Sequence, residues 1–101
     1  MQYKVFALYD SCVQAYNTPM FLRSRGEAIR SFQAAVNEAG NNLNRWPDQY
    51  TLFEIGEYDD ENGIMAMYEA KVSLGTGVQY KDVVKTDTPL EEAIKMVKRG
   101  E

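Results

Sequence analysis

A chain of 101 residues with 45% hydrophobic content has the length of one domain and holds a small core. It carries 11 basic and 15 acidic side chains, a formal charge of −4, so it lacks the excess of Lys and Arg through which counterion release drives general binding to phosphate backbones. Histidine is absent and Cys12 is the only cysteine, which excludes Ser-His and Cys-His nucleophile pairs, an intrachain disulfide and a cysteine metal cluster.

In chain order, Tyr3 to Tyr9 alternates, with Tyr3, Val5, Ala7 and Tyr9 on one face and Lys4, Phe6 and Leu8 on the other. That period predicts a strand, and apolar residues on both faces predict a central one. Asp10 opens a loop that runs through Pro19, and Met20 to Arg23 is a short second strand. Ser24 and Glu27 have the spacing of a capping box, in which the Ser hydroxyl accepts from the Glu amide and the carboxylate returns the bond. A helix is expected from Arg25 to Ala39, with Ile29, Phe32 and Val36 on its buried stripe and Gly40 just past its end. Asn41 to Gln49 reads as a polar loop.

Tyr50 to Tyr58 is the next strand, Asp59 to Gly63 a turn, and Ile64 to Leu74 the return strand. The turn resembles a calcium loop in composition, but an EF-hand needs a glutamate at the twelfth position counting its first ligand as one, and that position holds Ala70. No metal or cofactor is expected. Residues 75–88 read as flexible, with an edge strand over Val78 to Val84, and Thr88-Pro89-Leu90-Glu91 starts a terminal helix over 89–99 with Leu90, Ala93, Ile94 and Val97 on one stripe. The expectation is a single α+β domain over 1–101: a small, mainly antiparallel sheet with one internal helix and one C-terminal helix packed on it.

No apolar run approaches the length of a membrane span, and the N-terminus lacks the pattern of a signal peptide, so a cytoplasmic protein without membrane contact is expected. Charge is uneven: residues 1–49 sum to +1 and residues 50–101 to −5. Arg23, Arg25 and Arg30 gather at the start of the helix, where free amides already favour anions, and arginine binds phosphate through two hydrogen bonds at once. With Arg45, Trp46 and Tyr16 they make up a candidate single-stranded DNA site, bases stacking on the aromatics. Against this, the arginines are readily solvated or paired with Glu27 and Glu38, and a lone Trp beside Pro47 more often plugs a core than stacks a base. Glu54, Glu57, Asp59, Asp60 and Glu61 run without a basic neighbour and form a candidate docking face for a basic partner, against the plainer reading of a solvated strand face. Met65 and Met67, on a strand with two apolar faces, are the candidate homodimer or higher homo-oligomer interface.

Two blocks carry a resemblance. Tyr3-Lys4-Val5-Phe6-Ala7-Leu8-Tyr9-Asp10-Ser11, followed by Ala15-Tyr16, Pro19 and Arg25-Gly26-Glu27-Ala28-Ile29-Arg30, precedes Leu52-Phe53-Glu54-Ile55-Gly56-Glu57-Tyr58-Asp59-Asp60. This order and spacing over roughly residues 1–75 resembles the small nonstructural ORF5 protein of gokushoviruses, single-stranded DNA bacteriophages of the Microviridae. The resemblance implies a DNA-binding, non-enzymatic nonstructural protein of viral DNA replication and DNA packaging, located in the host cell cytoplasm and not in the virion. Its implied partners are single-stranded DNA and viral or host replication proteins. It transfers no individual residue role. The competing expectation is an acidic protein–protein regulator that binds the viral replication initiator or a host factor without contacting DNA.

Overall fold

The computed structural model describes residues 1–82. The expected C-terminal helix over 89–99, its cap at Thr88 and residues 83–88 of the segment 75–88 lie outside the described residues. The strands are β1 (Gln2–Asp10), β2 (Ala15–Tyr16), β3 (Met20–Leu22), β4 (Tyr50–Asp59) and β5 (Ile64–Thr76); the helices are α1 (Arg25–Val36), α2 (Asn42–Arg45) and α3 (Gly77–Tyr80). The five strands make one antiparallel sheet in the order β2-β1-β4-β5, with β3 on the same edge of β1 as β2. The protein is thus α+β, and β1 is central because both of its edges are paired.

The two faces of the sheet differ. Phe6, Leu52 and Tyr50 meet Ala28, Phe32 and Val36 of α1 in the main core. Period 3.6 explains the match, since Ala28, Phe32 and Val36 are four apart and share one face of the helix. The opposite face buries Val5, Ala7 and Ile55 under Phe53 and Tyr58, with no helix over them among the described residues. Both pairings of β4 slip at Ile55: Phe6 faces Glu54 while Val5 faces Gly56, and on the far side Glu54 faces Val72 while Gly56 faces Met67. This bulge turns Ile55 to the helix-free face.

Local capping follows expectation with one shift. Ser24 Oγ accepts from the Glu27 amide at 3.2 Å, but the Glu27 carboxylate accepts from the Arg23 amide at 2.9 Å, one residue upstream of the box partner. The helix stops at Val36, where Asn37 and Asn41 side chains bond the last carbonyls, short of the expected Ala39. The loop from Asn41 folds into α2, capped by its own Asn41, and a 3-10 turn over Pro47–Gln49.

The expected strand from Val78 is replaced over its described part by α3. The Gln79 side chain accepts from the Thr76 amide at 3.1 Å, and Gly77 sits so close to Pro47 that a Cβ would lie 2.5 Å from its carbonyl oxygen. Asn37 then ties the segment down, donating to the Tyr80 carbonyl at 3.0 Å and accepting from the Asp82 amide at 2.7 Å. Backbone groups that a strand would have presented to a neighbour are satisfied locally instead.

Candidate functional site

The residues singled out from sequence fall into separate places. Arg23 and Arg25 flank the Ser24 cap at one end of α1, and Arg30 lies on its exposed side. Arg45 and Trp46 sit at the other end, where α2 is bound to the tail of α1 by Asn44 Nδ2 donating to the Val36 carbonyl at 2.9 Å. Twelve helical residues, about 18 Å, separate the two groups. Trp46 does not plug the core: it is 45% exposed, with the Arg45 guanidinium 5.3 Å over its ring. Tyr16 belongs to neither group and lies on the helix-free face of the sheet against Tyr9 and Phe53.

Glu54 is corrected most. The run of acidic residues from Glu54 to Glu61 places it on an exposed docking or solvated face, yet it is fully buried. Its pairing with Phe6 turns it to the helix side, where three groups converge on it. Arg25 Nε donates to Oε1 at 2.5 Å, Tyr68 Oη donates to Oε2 at 2.5 Å, and Lys4 Nζ stands 3.4 Å from Oε2. Burial by itself opposes ionisation, but the hydrogen bonds from Tyr68 and Arg25 and the charges of Lys4 and Arg25 outweigh it and hold the carboxyl below its ordinary value. Burial, followed by the carboxylates of Glu54 and Glu57, pushes the Tyr68 phenol far above its ordinary value. The cluster is internally satisfied, so it acts as a lock between β1, β4, β5 and the start of α1.

The remaining acids gather at the β4–β5 hairpin, and all but Asp59 have a cation beside them. Glu57 lies 3.7 Å from Lys4 and accepts from Tyr68 at 3.3 Å. Asp60 and Glu61 lie 2.6 and 3.9 Å from the N-terminal amine. Asp59 accepts from the Glu61 amide at 3.0 Å and shapes the turn. Among the described residues, no group of His, Cys, Asp and Glu has the geometry to hold a metal ion.

Sequence reasoning overlooked a surface on the helix-free face. Register places Tyr3 opposite Tyr58, Val5 opposite Phe21, Tyr9 opposite Tyr16 and Ala7 opposite Phe53. Two aromatic groups result. In one, Tyr58 stands 6.4 Å from Tyr3 and meets Phe21 edge-on at 5.4 Å. In the other, Tyr16 stands 4.8 Å from Tyr9 and meets Phe53 edge-on at 5.9 Å, with Lys71 Nζ 5.6 Å over the Tyr16 ring. A shallow open depression of about 470 Å³ lies among Tyr3, Phe21, Tyr58 and Asp60. Met65 and Met67 border this face through their pairing with Tyr58 and Gly56. The signal available in the sequence was the apolar character of both faces of β1 and β4, which one covering helix cannot absorb.

Compared with known proteins, the chain matches the model of a family described as Phage ORF5 protein over residues 3–80. No curated protein and no solved structure matches it.

Proposed function

The chain belongs to the phage ORF5 protein family, and on that premise we propose that it is a non-enzymatic accessory of single-stranded DNA genome replication and packaging that holds single-stranded DNA on the helix-free face of its sheet. The observation that carries the reading is the pair of aromatic groups around Tyr58 and Tyr16, partly exposed on the sheet. Every base has a π face, so stacking on such side chains is tolerant of sequence and contributes about 1–3 kcal/mol per base. Lys71 beside Tyr16, and Arg23 two residues beyond Phe21, are the nearest basic residues for the phosphates. With so few cations, affinity rests on stacking, and its salt slope is shallow. The acidic hairpin faces a replication protein in this reading.

One observation favours a second reading, a regulator that binds a replication protein and no DNA. Arg25, the arginine nearest the sheet centre, is committed to Glu54, and the hairpin beside Tyr58 carries Asp59, Asp60 and Glu61. Anisotropy of a labelled single-stranded oligonucleotide, titrated with the protein over a salt series, separates the two. Saturable binding with a shallow salt slope supports the first reading. No binding at low salt rejects it in favour of the second.

A further inference from the structure

The β4–β5 hairpin projects an unusual edge. Strand β5 ends the sheet, and among the described residues it pairs with β4 alone, so its outer row of amides and carbonyls is open. The arm is apolar where it is most exposed: Ile64 is 58%, Met65 48% and Met67 55% exposed, and Ala66 between them is exposed as well. From Asn62 to Tyr68 there is no charge. An open, uncharged, apolar edge is a template for another strand.

We propose that this edge pairs with the same edge of a second copy, antiparallel about a twofold axis through Ala66, so that the sheets of two chains join through their β5 strands. Charge decides both the occupant and the register. A phosphate backbone is disfavoured, because Glu57, Asp59, Asp60 and Glu61 all border the arm. A second copy presents the same uncharged stretch, Asn62 to Tyr68, to this one. Centred on Ala66, Met65 of one chain faces Met67 of the other, Ile64 faces Tyr68, Glu69 faces the uncharged Gly63, and Glu61 and Lys71 face each other with opposite sign. Centring on Met65 instead sets Glu61 against Glu69, a like-charge contact that destabilises cross-strand pairs. The pairing also has a built-in limit. Beyond Met67, the four residues Tyr68 to Lys71 stand beside Ile55 alone, and this excursion takes the edge off its regular line. A twofold contact of this kind is closed, so it ends at a dimer instead of propagating. The inference does not depend on DNA binding.

The test is sedimentation velocity on the full chain across the micromolar range, with two double variants at exposed positions. The parent sediments as a dimer. The variant M65K/M67K places lysine against lysine in the proposed register, and its dissociation constant rises by at least about tenfold. The variant M65K/M67E carries as many introduced charges, but in this register the lysine of one copy faces the glutamate of the other, and the dimer is retained. Amide exchange supplies a measurement free of substitutions: the amides of 64–68 slow as parent concentration rises. A parent that stays monomeric throughout, an M65K/M67K variant as dimeric as the parent, an M65K/M67E variant as weak as M65K/M67K, or exchange over 64–68 that ignores concentration would each overturn the proposal.

Discussion

Arg25 Nε donates to the buried carboxylate of Glu54 at 2.5 Å, binding the first turn of α1 to the middle of β4. That bond takes one arginine out of the surface cluster and one glutamate out of the acidic face. Because Arg25 is half exposed and Tyr68 and Lys4 also hold Glu54, Arg25→Ala is expected to cost about 1–2 kcal/mol, less than full removal of a partner from a buried pair. Urea denaturation of parent and variant measures it.

The same cluster sets the response to pH. The Glu54 pKa is depressed in the folded state, so its contribution is present above the ordinary carboxylate value and is lost as pH falls through the folded value. The Tyr68 pKa is raised, so its contribution is present below the ordinary phenol value and fades as pH rises above it. Glu54→Gln is expected to flatten the acid side of the stability–pH curve and Tyr68→Phe the alkaline side. Thermal denaturation from acid to alkaline pH reads both, and an acid limb unchanged by Glu54→Gln contradicts the assignment.

Gly56 occupies the bulge with no room for a side chain. An added Cβ would lie 2.7 Å from the Ala66 carbonyl oxygen and 3.0 Å from Met67 Sδ. The first contact is backbone and yields only if β4 and β5 separate. Gly56→Ala is therefore expected to cost about 1–3 kcal/mol, read as a lower denaturation midpoint. Phe32→Ala, which empties the contact between α1, Phe6 and Tyr80, is expected to cost about 3–5 kcal/mol.

Arg23 and Arg30 have no side-chain ion pair among the described residues. If either touches phosphate, its change to Ala lowers the single-strand salt slope by roughly 0.7. The stacking account expects a slope change for Arg23→Ala, near Phe21, and none for Arg30→Ala on the far side of α1. The salt series in each variant decides between them.

What could be read from the sequence was local. The alternation of Tyr3 to Tyr9, the Ser24 cap, Phe32 and Val36 of the helix stripe and the Asp59–Gly63 turn each depend on residues within a few positions of one another and stand in the structure, while Ala28 takes the fully buried place expected of Ile29. Glu54 was hidden because its burial depends on Lys4, Arg25 and Tyr68 arriving from three other elements, and because its acidic neighbours gave the strand the look of a wet face. The aromatic face was hidden for a related reason. Tyr16 and Phe21 come from the loop side of β1, Phe53 and Tyr58 from β4, and only the register brings them together. The segment from Val78 was misjudged as strand because its apolar residues carry no sign of the Gly77–Pro47 contact that starts α3.

The most direct measurement is single-stranded oligonucleotide affinity at low salt for the parent and for Tyr16→Ala and Phe21→Ala, two exposed aromatics from the two groups. Neither side chain is in the main core, so both variants are expected to keep the parent's circular dichroism. The account predicts that the parent binds and that each substitution weakens binding by about 1–3 kcal/mol while leaving the salt slope unchanged. Parent binding that neither substitution alters would contradict it, as would a folded parent that does not bind single-stranded DNA at all.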